Sequence, residues 1–409
     1  MLDVGKIYKV FAIEGYSVDG MVRTELALRG TQGDATAGRY DRLFNSGTLR
    51  IQNIVLTTDI YPQPFYISTG LFRFEQEKMW FDAFKARYGK TDFSLKGYLT
   101  NVINYALKPG SPLIGNFDLS TPHFFADEFM VFADASSTPG NSASQTLDTT
   151  SATAGVIIVP SDLSLTLNAS AGRVSYNGLD IKDFKGQVMI DSSKLKLNQT
   201  GFNIIDAPVI MDATYQSLSP TKAYFTYHIN AQDFDVRKAY NEIKIFHDLA
   251  PSAANAQGIV SIDYNLSGKL NSEMYPVYPS LKGGGVLSVK SVKMKGFKLM
   301  NAVSSATDKA DVKDPDLSKV DIKTSIENNI ITVQRVKLRV SGFRPRFEGQ
   351  MSFDGKLNLT GRLGLPPFGI LGIPFTVTGT QDAPQVHLRR NKDSDKIEET
   401  TEEPDTDEQ

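Results

Sequence analysis

The sequence predicts a mainly β protein: an elongated, curled antiparallel sheet, a repeating β-groove, with a few short helices. Three observations carry that expectation. Apolar residues fall at every second position through most of the chain, with Gly, Asn, Asp or Pro between runs, as in Leu163, Leu165, Leu167 and in Leu357, Leu359. One spacing of glycine and apolar residues recurs three times. Helical spacing is clear only once.

Clean alternation describes strands wet on one side and buried on the other, which favours antiparallel pairing. The recurring spacing is G-x-φ-x-φ-x-x-φ-x-φ. It holds Gly47, Leu49, Ile51, Ile54, Leu56; Gly172, Val174, Tyr176, Leu179, Ile181; and Gly285, Leu287, Val289, Val292, Met294. The first and third copies follow a φ-x-φ-x-Gly run, Leu26, Leu28, Gly30 and Tyr264, Leu266, Gly268. A fragmentary fourth copy starts at Gly115 with Phe117 and Leu119. In a regular strand the two intervening residues would turn the next apolar pair to the opposite face. Either a bulge restores the face or a short turn lies there. Repeated bulges would curl the sheet into a trough; a flat sandwich whose strands share a turn is the alternative.

The helical spacing runs through Val236, Ala239, Tyr240, Ile243, Phe246 and Leu249, with Asp235 placed to cap the start and Pro251 beyond the end. Shorter helices are expected near Tyr40 to Phe44 and Leu299 to Val303. Residues 133–155 contain almost no large apolar side chain and read as a disordered insertion, as does the acidic tail over 391–409. Four segments follow: an N-terminal groove portion over 1–132, the insertion, a second groove region over 156–390, and the tail. Within the insertion Asp148, Thr149 and Thr150 resemble a bacterial D-T-T O-glycosylation site.

Composition excludes more chemistry than it suggests. The 409 residues include no Cys, which removes disulfides, thiolate metal sites and thiol nucleophiles. Formal charge is −2, but nine acids and one lysine fall in 393–409, leaving +6 on the rest, short of a nucleic-acid binder. His123, His228, His247 and His387 lie apart in unrelated contexts, so no metal site is expected. No nucleophile elbow or phosphate loop occurs, and Gly283 to Gly285 lead into a strand. The reading is therefore non-enzymatic, with no cofactor. No run of about 18 apolar residues crosses a membrane. Strand-like alternation sets in soon after Met1, so further sequence is expected upstream.

The segment Leu363 to Phe375 is strongly apolar and broken by Pro366, Pro367, Gly369, Gly372 and Pro374. Such proline density suits an edge or turn. It is either core packing at the end of the sheet or an exposed lip that meets a membrane or partner.

Residues 160–388 resemble the C-terminal region of the AsmA-like family of Gram-negative envelope proteins, in the form found in Bacteroidetes. The match runs through PSDLSLTLNASAGRVSYNGLDIKDFKGQVMIDSSKLKLNQTGFNII, AQDFDVRKAYNEIKIFHDLAPSAANAQGIVSIDYNLSGKL, PSLKGGGVLSVKSVKMKGFKLMNAV and FTVTGTQDAPQVHL; residues 91–130 fit more loosely. The resemblance implies a curled β-groove whose apolar inner face carries phospholipid between membranes and supports outer-membrane biogenesis. It implies a periplasmic body anchored to the inner membrane by an N-terminal helix, and no catalytic residue. Its partners would be phospholipid and a membrane surface or envelope proteins, with no nucleic acid. Residues matching inward-facing strand positions, Leu49, Ile51, Val174, Tyr176, Leu287 and Val289, become candidates for the groove lining. Lys290 falls on the opposite face by alternation. The rival reading is an envelope scaffold whose sheet is filled by its own side chains; a glycan-binding module is a distant third.

Overall fold

The computed structural model describes residues 2–3, 16–37, 44–58, 61–75, 78–108, 110–129 and 155–388. The expected helix at Tyr40, most of the insertion and the whole acidic tail lie outside them. The chain is mainly β, as alternation predicts, with the twenty strands of the described residues in one mixed sheet not closed into a barrel. It divides into two compact units. The first holds residues 1–202, 212–225 and 270–275, and the second 203–211, 226–269 and 276–409.

In the first unit, β1 (Leu2–Asp3), β2 (Tyr16–Arg29), β3 (Phe44–Thr58), β4 (Phe65–Glu75), β5 (Lys78–Tyr88), β6 (Thr91–Thr100) and β7 (Leu113–Phe125) pair in sequence order, all antiparallel. β7 then pairs with β8 (Leu163–Tyr176) in parallel, an exception to the antiparallel expectation. Its physical reason is the 37-residue connection over 126–162, since parallel neighbours need a crossover rather than a hairpin. β9 (Leu179–Asp191) returns antiparallel to β8.

β10 (Lys194–Ile204), β11 (Ala207–Ser219) and β12 (Lys222–Asp235) follow. In the second unit β13 (Ala256–Leu270), β14 (Lys282–Met294), β15 (Asp316–Glu327), β16 (Ile330–Lys337), β17 (Arg344–Ser352), β18 (Leu357–Gly364), β19 (Gly372–Gly379) and β20 (Pro384–His387) pair consecutively and antiparallel.

The recurring spacing has two structural outcomes. In the first copy Asn53, at φ 52°, interrupts the ladder, and opposite it the register skips Gly20 between Asp19 and Met21. In the third copy the pairing skips Lys290, with the shift falling between Ile259 and Val260 on β13. Both are bulges. In the second copy the two residues are Asn177 and Gly178, at φ 49° and 77°, and they form the two-residue hairpin turn between β8 and β9.

The two bulged copies share more than the predicted positions. Gly20 precedes Leu26 by six residues, and Gly258 precedes Tyr264 by the same number. Both glycines lie at positive φ, 136° and 143°. A Cβ at Gly20 would strike the Asn53 backbone and one at Gly258 the Ser291 backbone, each at the bulge opposite. Only glycine fits that approach.

The expected helix over 236–249 is two short helices, α1 (Val236–Glu242) and α2 (Lys244–Leu249), broken at Ile243, whose backbone is extended at φ −110° and ψ 102°. Asp235 caps α1 as predicted, its carboxylate accepting from the N–H groups of Arg237 and Lys238, both at 2.9 Å. The expectation near Leu299 is met by α3 (Lys298–Thr307). Its buried side Leu299, Met300 and Val303 packs with Leu357, Leu359, Leu363, Phe375 and Val377 of β18 and β19, joined by Val312 and Phe343.

Candidate functional site

Cross-strand register shows which residues share a face. In the first unit Thr24, Leu49, Phe72, Phe81, Gly97, Phe117, Leu167 and Val188 stand directly opposite one another from β2 to β9. The next row holds Val22, Ile51, Gly70, Phe84, Leu95, Leu119, Ala169 and Gly186. This is an apolar face more than five strands wide. Phe81 meets Phe72 and Phe117 edge-on, with ring centroids 4.7 and 4.9 Å away. The opposite face is charged: Arg73 bonds Glu75 and Asp82, and with Lys78 it lies over the ring of Trp80.

Leu49 and Ile51 therefore sit where the spacing places them, both half-buried. Leu26, opposite Gly47 one rung further along the same face, is 53% exposed. The far end of the face is closed by the chain. Tyr61, Phe65, Tyr88 and Phe129 pack ring against ring, and Phe124 stacks on Phe129. Val156 and Val159 are buried in a segment tied down by bonds from Tyr215 Oη to the Ile157 carbonyl (2.7 Å) and from the Val159 N–H to Ser217 (3.1 Å).

Val174 and Tyr176 belong to that closed end. Inner positions on β8 run by twos from Leu163 to Ala171, then take three steps to Val174. β7 takes the same odd step from Thr121 to Phe124, and β9 from Phe184 to Ile181, beside Asp183 at φ 54°. Val174 thus stands between Phe124 and Ile181. Burial pushes the Tyr176 hydroxyl up to about 12, and the nearby Asp127 carboxylate adds to the shift.

In the second unit Leu287 stands between Ile262 and Ile322, and Val289 between Val260 and Val320. A neighbouring row runs through Tyr264, Gly285, Thr324, Val333, Gly349, Leu359, Val377 and Val386. The face that α3 covers over β18 and β19 is therefore the one carrying Leu287 and Val289. Ile262, Leu287 and Ile322 are half-buried, whereas Val289 is 5% exposed between valines at 1% and 8%. Val289 is core, not open lining. Lys290 is the residue the bulge leaves unpaired, and it forms an ion pair with Asp233.

The alternation thus brings each candidate pair together on its strand, but the structure separates three situations that alternation does not distinguish: half-buried on the sheet face for Leu49, Ile51 and Leu287, half-buried beside the aromatic cap for Val174 and Tyr176, and buried for Val289. Sequence reasoning missed the aromatic cluster that Phe72, Phe81 and Phe84 form beside Phe117. Its signal was the alternation of Phe72 with Phe74, obscured on β5 by the odd step from Phe81 to Phe84, where the register shifts.

No family, curated protein or solved structure matches the chain. Among the described residues no three His, Cys, Asp or Glu side chains gather as a metal site would require. None of the helices described is long and apolar enough to cross a membrane.

Proposed function

We propose that this chain is a non-enzymatic envelope protein that holds phospholipid acyl chains against its apolar sheet face and conducts them between membranes, in support of outer-membrane biogenesis. The observation carrying this reading is the accessibility of that face: Leu26 exposed, Leu49 and Ile51 half-buried in one unit, and Ile262, Leu287 and Ile322 half-buried in the other. A chain that filled its own core would bury these rows. Transfer of an acyl chain onto such a wall gains about 0.8 kcal/mol per CH₂, so a two-chain lipid has ample reason to stay. The resemblance of residues 160–388 to AsmA-like proteins supports the same reading, with a periplasmic location and an inner-membrane anchor as its corollaries. Organic extraction of detergent-free protein is expected to yield phospholipid in at least stoichiometric amount. Folded, lipid-free protein that takes up no labelled lipid from liposomes would overturn it.

A second reading, a scaffold with a self-filled core, is favoured by α3, which buries Leu299, Met300 and Val303 on the same face. It predicts no lipid in the extract and no uptake.

A further inference from the structure

The connection between β18 and β19 exposes three large apolar side chains together: Phe368 at 68%, Ile370 at 77% and Leu371 at 75%. They are the most exposed large apolar residues described, and an exposed apolar cluster of this kind marks an interaction site. Leu363 and Phe375, on the flanking strands, are buried in the core, so the turn has a fixed base.

Beneath the turn lies a basic surface. Lys337, Arg346 and Arg362 stand directly opposite one another across β16, β17 and β18, and Arg344 follows on the same face two residues from Arg346. Arg362 donates to the Ile370 carbonyl, and the stem of Arg344 lies where a Cβ at Gly369 would sit, so both cations are held against the turn. The nearby carboxylate of Glu348 is taken up by Arg335 at 2.7 Å.

We propose that the turn over 365–371 inserts into the interface of an anionic lipid bilayer, with Lys337, Arg344, Arg346 and Arg362 meeting the lipid phosphates. The charge complementarity decides for this occupant: three apolar side chains at the tip and four cations one layer behind match the order of hydrocarbon and headgroup in a membrane surface. Guanidinium groups also pair with phosphate in bidentate fashion. The inference concerns contact with a membrane and stands whether or not the sheet carries lipid as cargo.

The test uses the full chain in flotation with vesicles of phosphatidylcholine alone and of phosphatidylcholine mixed with phosphatidylglycerol. Wild type is expected to float with the mixed vesicles and far less with the neutral ones. The triple variant Phe368→Ser, Ile370→Ser, Leu371→Ser alters only exposed side chains and is expected to weaken binding by roughly tenfold or more, while retaining any co-purified lipid. Lys337→Glu with Arg346→Glu is expected to abolish the preference for phosphatidylglycerol. In Phe368→Trp, emission is expected to shift to the blue on mixed vesicles, against the background of Trp80. Wild-type protein that fails to float, a triple variant that floats like wild type, or emission from Phe368→Trp that does not move on mixed vesicles overturns the proposal and leaves the turn to an acidic protein partner. Wild-type protein that floats with the mixed vesicles yet yields no co-purified lipid would count against the lipid-carrier reading alone.

Discussion

Leu287 and Val289 are two positions apart on one strand and one face, yet they answer opposite questions. A carboxylate at Val289 would be enclosed by Val260 and Val320 without a partner, a placement that costs several kcal/mol. Val289→Asp is therefore expected to unfold the protein or lower its thermal midpoint sharply. At Leu287, between half-buried Ile262 and Ile322, a carboxylate reaches water. Leu287→Asp is expected to stay folded with a smaller loss, and to reduce uptake of labelled lipid. Equal loss of stability in the two variants would show the row closed. The lining residues were legible as an alternating set, but depth along the face was not, because depth depends on which distant segment lies above.

The Lys290 and Asp233 pair joins a bulge residue to a carboxylate whose own backbone is left-handed at φ 55°. The hydrogen bond from Lys290 holds the Asp233 carboxyl below its ordinary range. A depressed carboxyl pKa stabilises the fold at pH values above the unfolded value, and that contribution disappears as pH falls through the folded one. Lys290→Gln is thus expected to be less stable than wild type near neutral pH, and the gap in thermal midpoint is expected to close below the carboxylate range. A gap that persists in acid would point to something other than the ion pair. Lys290→Asp, which alternation alone recommends as a neutral change, instead sets two acids together.

At the scale of the element, the recurring spacing was legible and its meaning was not. The pair Asn177 and Gly178 carries the signature of a hairpin turn, both residues being suited to positive φ. Asn53 also suits the positive φ it adopts but no glycine follows it, and Lys290 and Ser291 carry no such mark; both bulges are matched instead by Gly20 and Gly258 on the neighbouring strand. A sequence search confined to one strand does not see that partner. Gly258→Ala is expected to be destabilising by more than the usual cost of a side chain in a strand, since the added Cβ meets the Ser291 carbonyl and strains a positive φ. Thermal unfolding checks it, with Gly296→Ala as a turn control where no atom stands nearby. The break at Ile243 in the helix expected over 236–249 has no Gly or Pro to announce it, and nothing in the local structure explains it.

The element that most limits an open face is α3. Leu359, 1% exposed under Leu299 and Val303, belongs to the core this helix seals. Leu359→Ala is expected to cost roughly 2–5 kcal/mol in denaturant unfolding, in the range for a buried leucine deletion. A loss under about 1 kcal/mol would mean that α3 rides loosely on the sheet. Its short apolar pattern at Leu299 to Val303 was visible beforehand; that it would settle on β18 and β19 was not, since packing partners are non-local.

For the molecule as a whole, the strand class and one-sided apolar pattern were readable because period-two alternation is a direct imprint of a half-wet sheet. The parallel pairing of β7 and β8 was not, because nothing in either strand specifies which neighbour it takes across a 37-residue connection. That connection has a kinetic consequence. The antiparallel ladders of the first unit join strands adjacent in sequence across connections of at most 14 residues; the twelve paired rungs of β7 and β8 form only after a much longer loop has closed. Closure entropy falls by about 0.6 kcal/mol for each halving of loop length. Removing residues 135–152, a stretch without Leu side chains beyond Leu147, shortens the connection by half. Refolding of the first unit is then expected to accelerate roughly threefold with little change in unfolding rate, as read by stopped-flow fluorescence of Trp80. An unchanged refolding rate would place the parallel seam after the rate-limiting step, as the last part of that sheet to close.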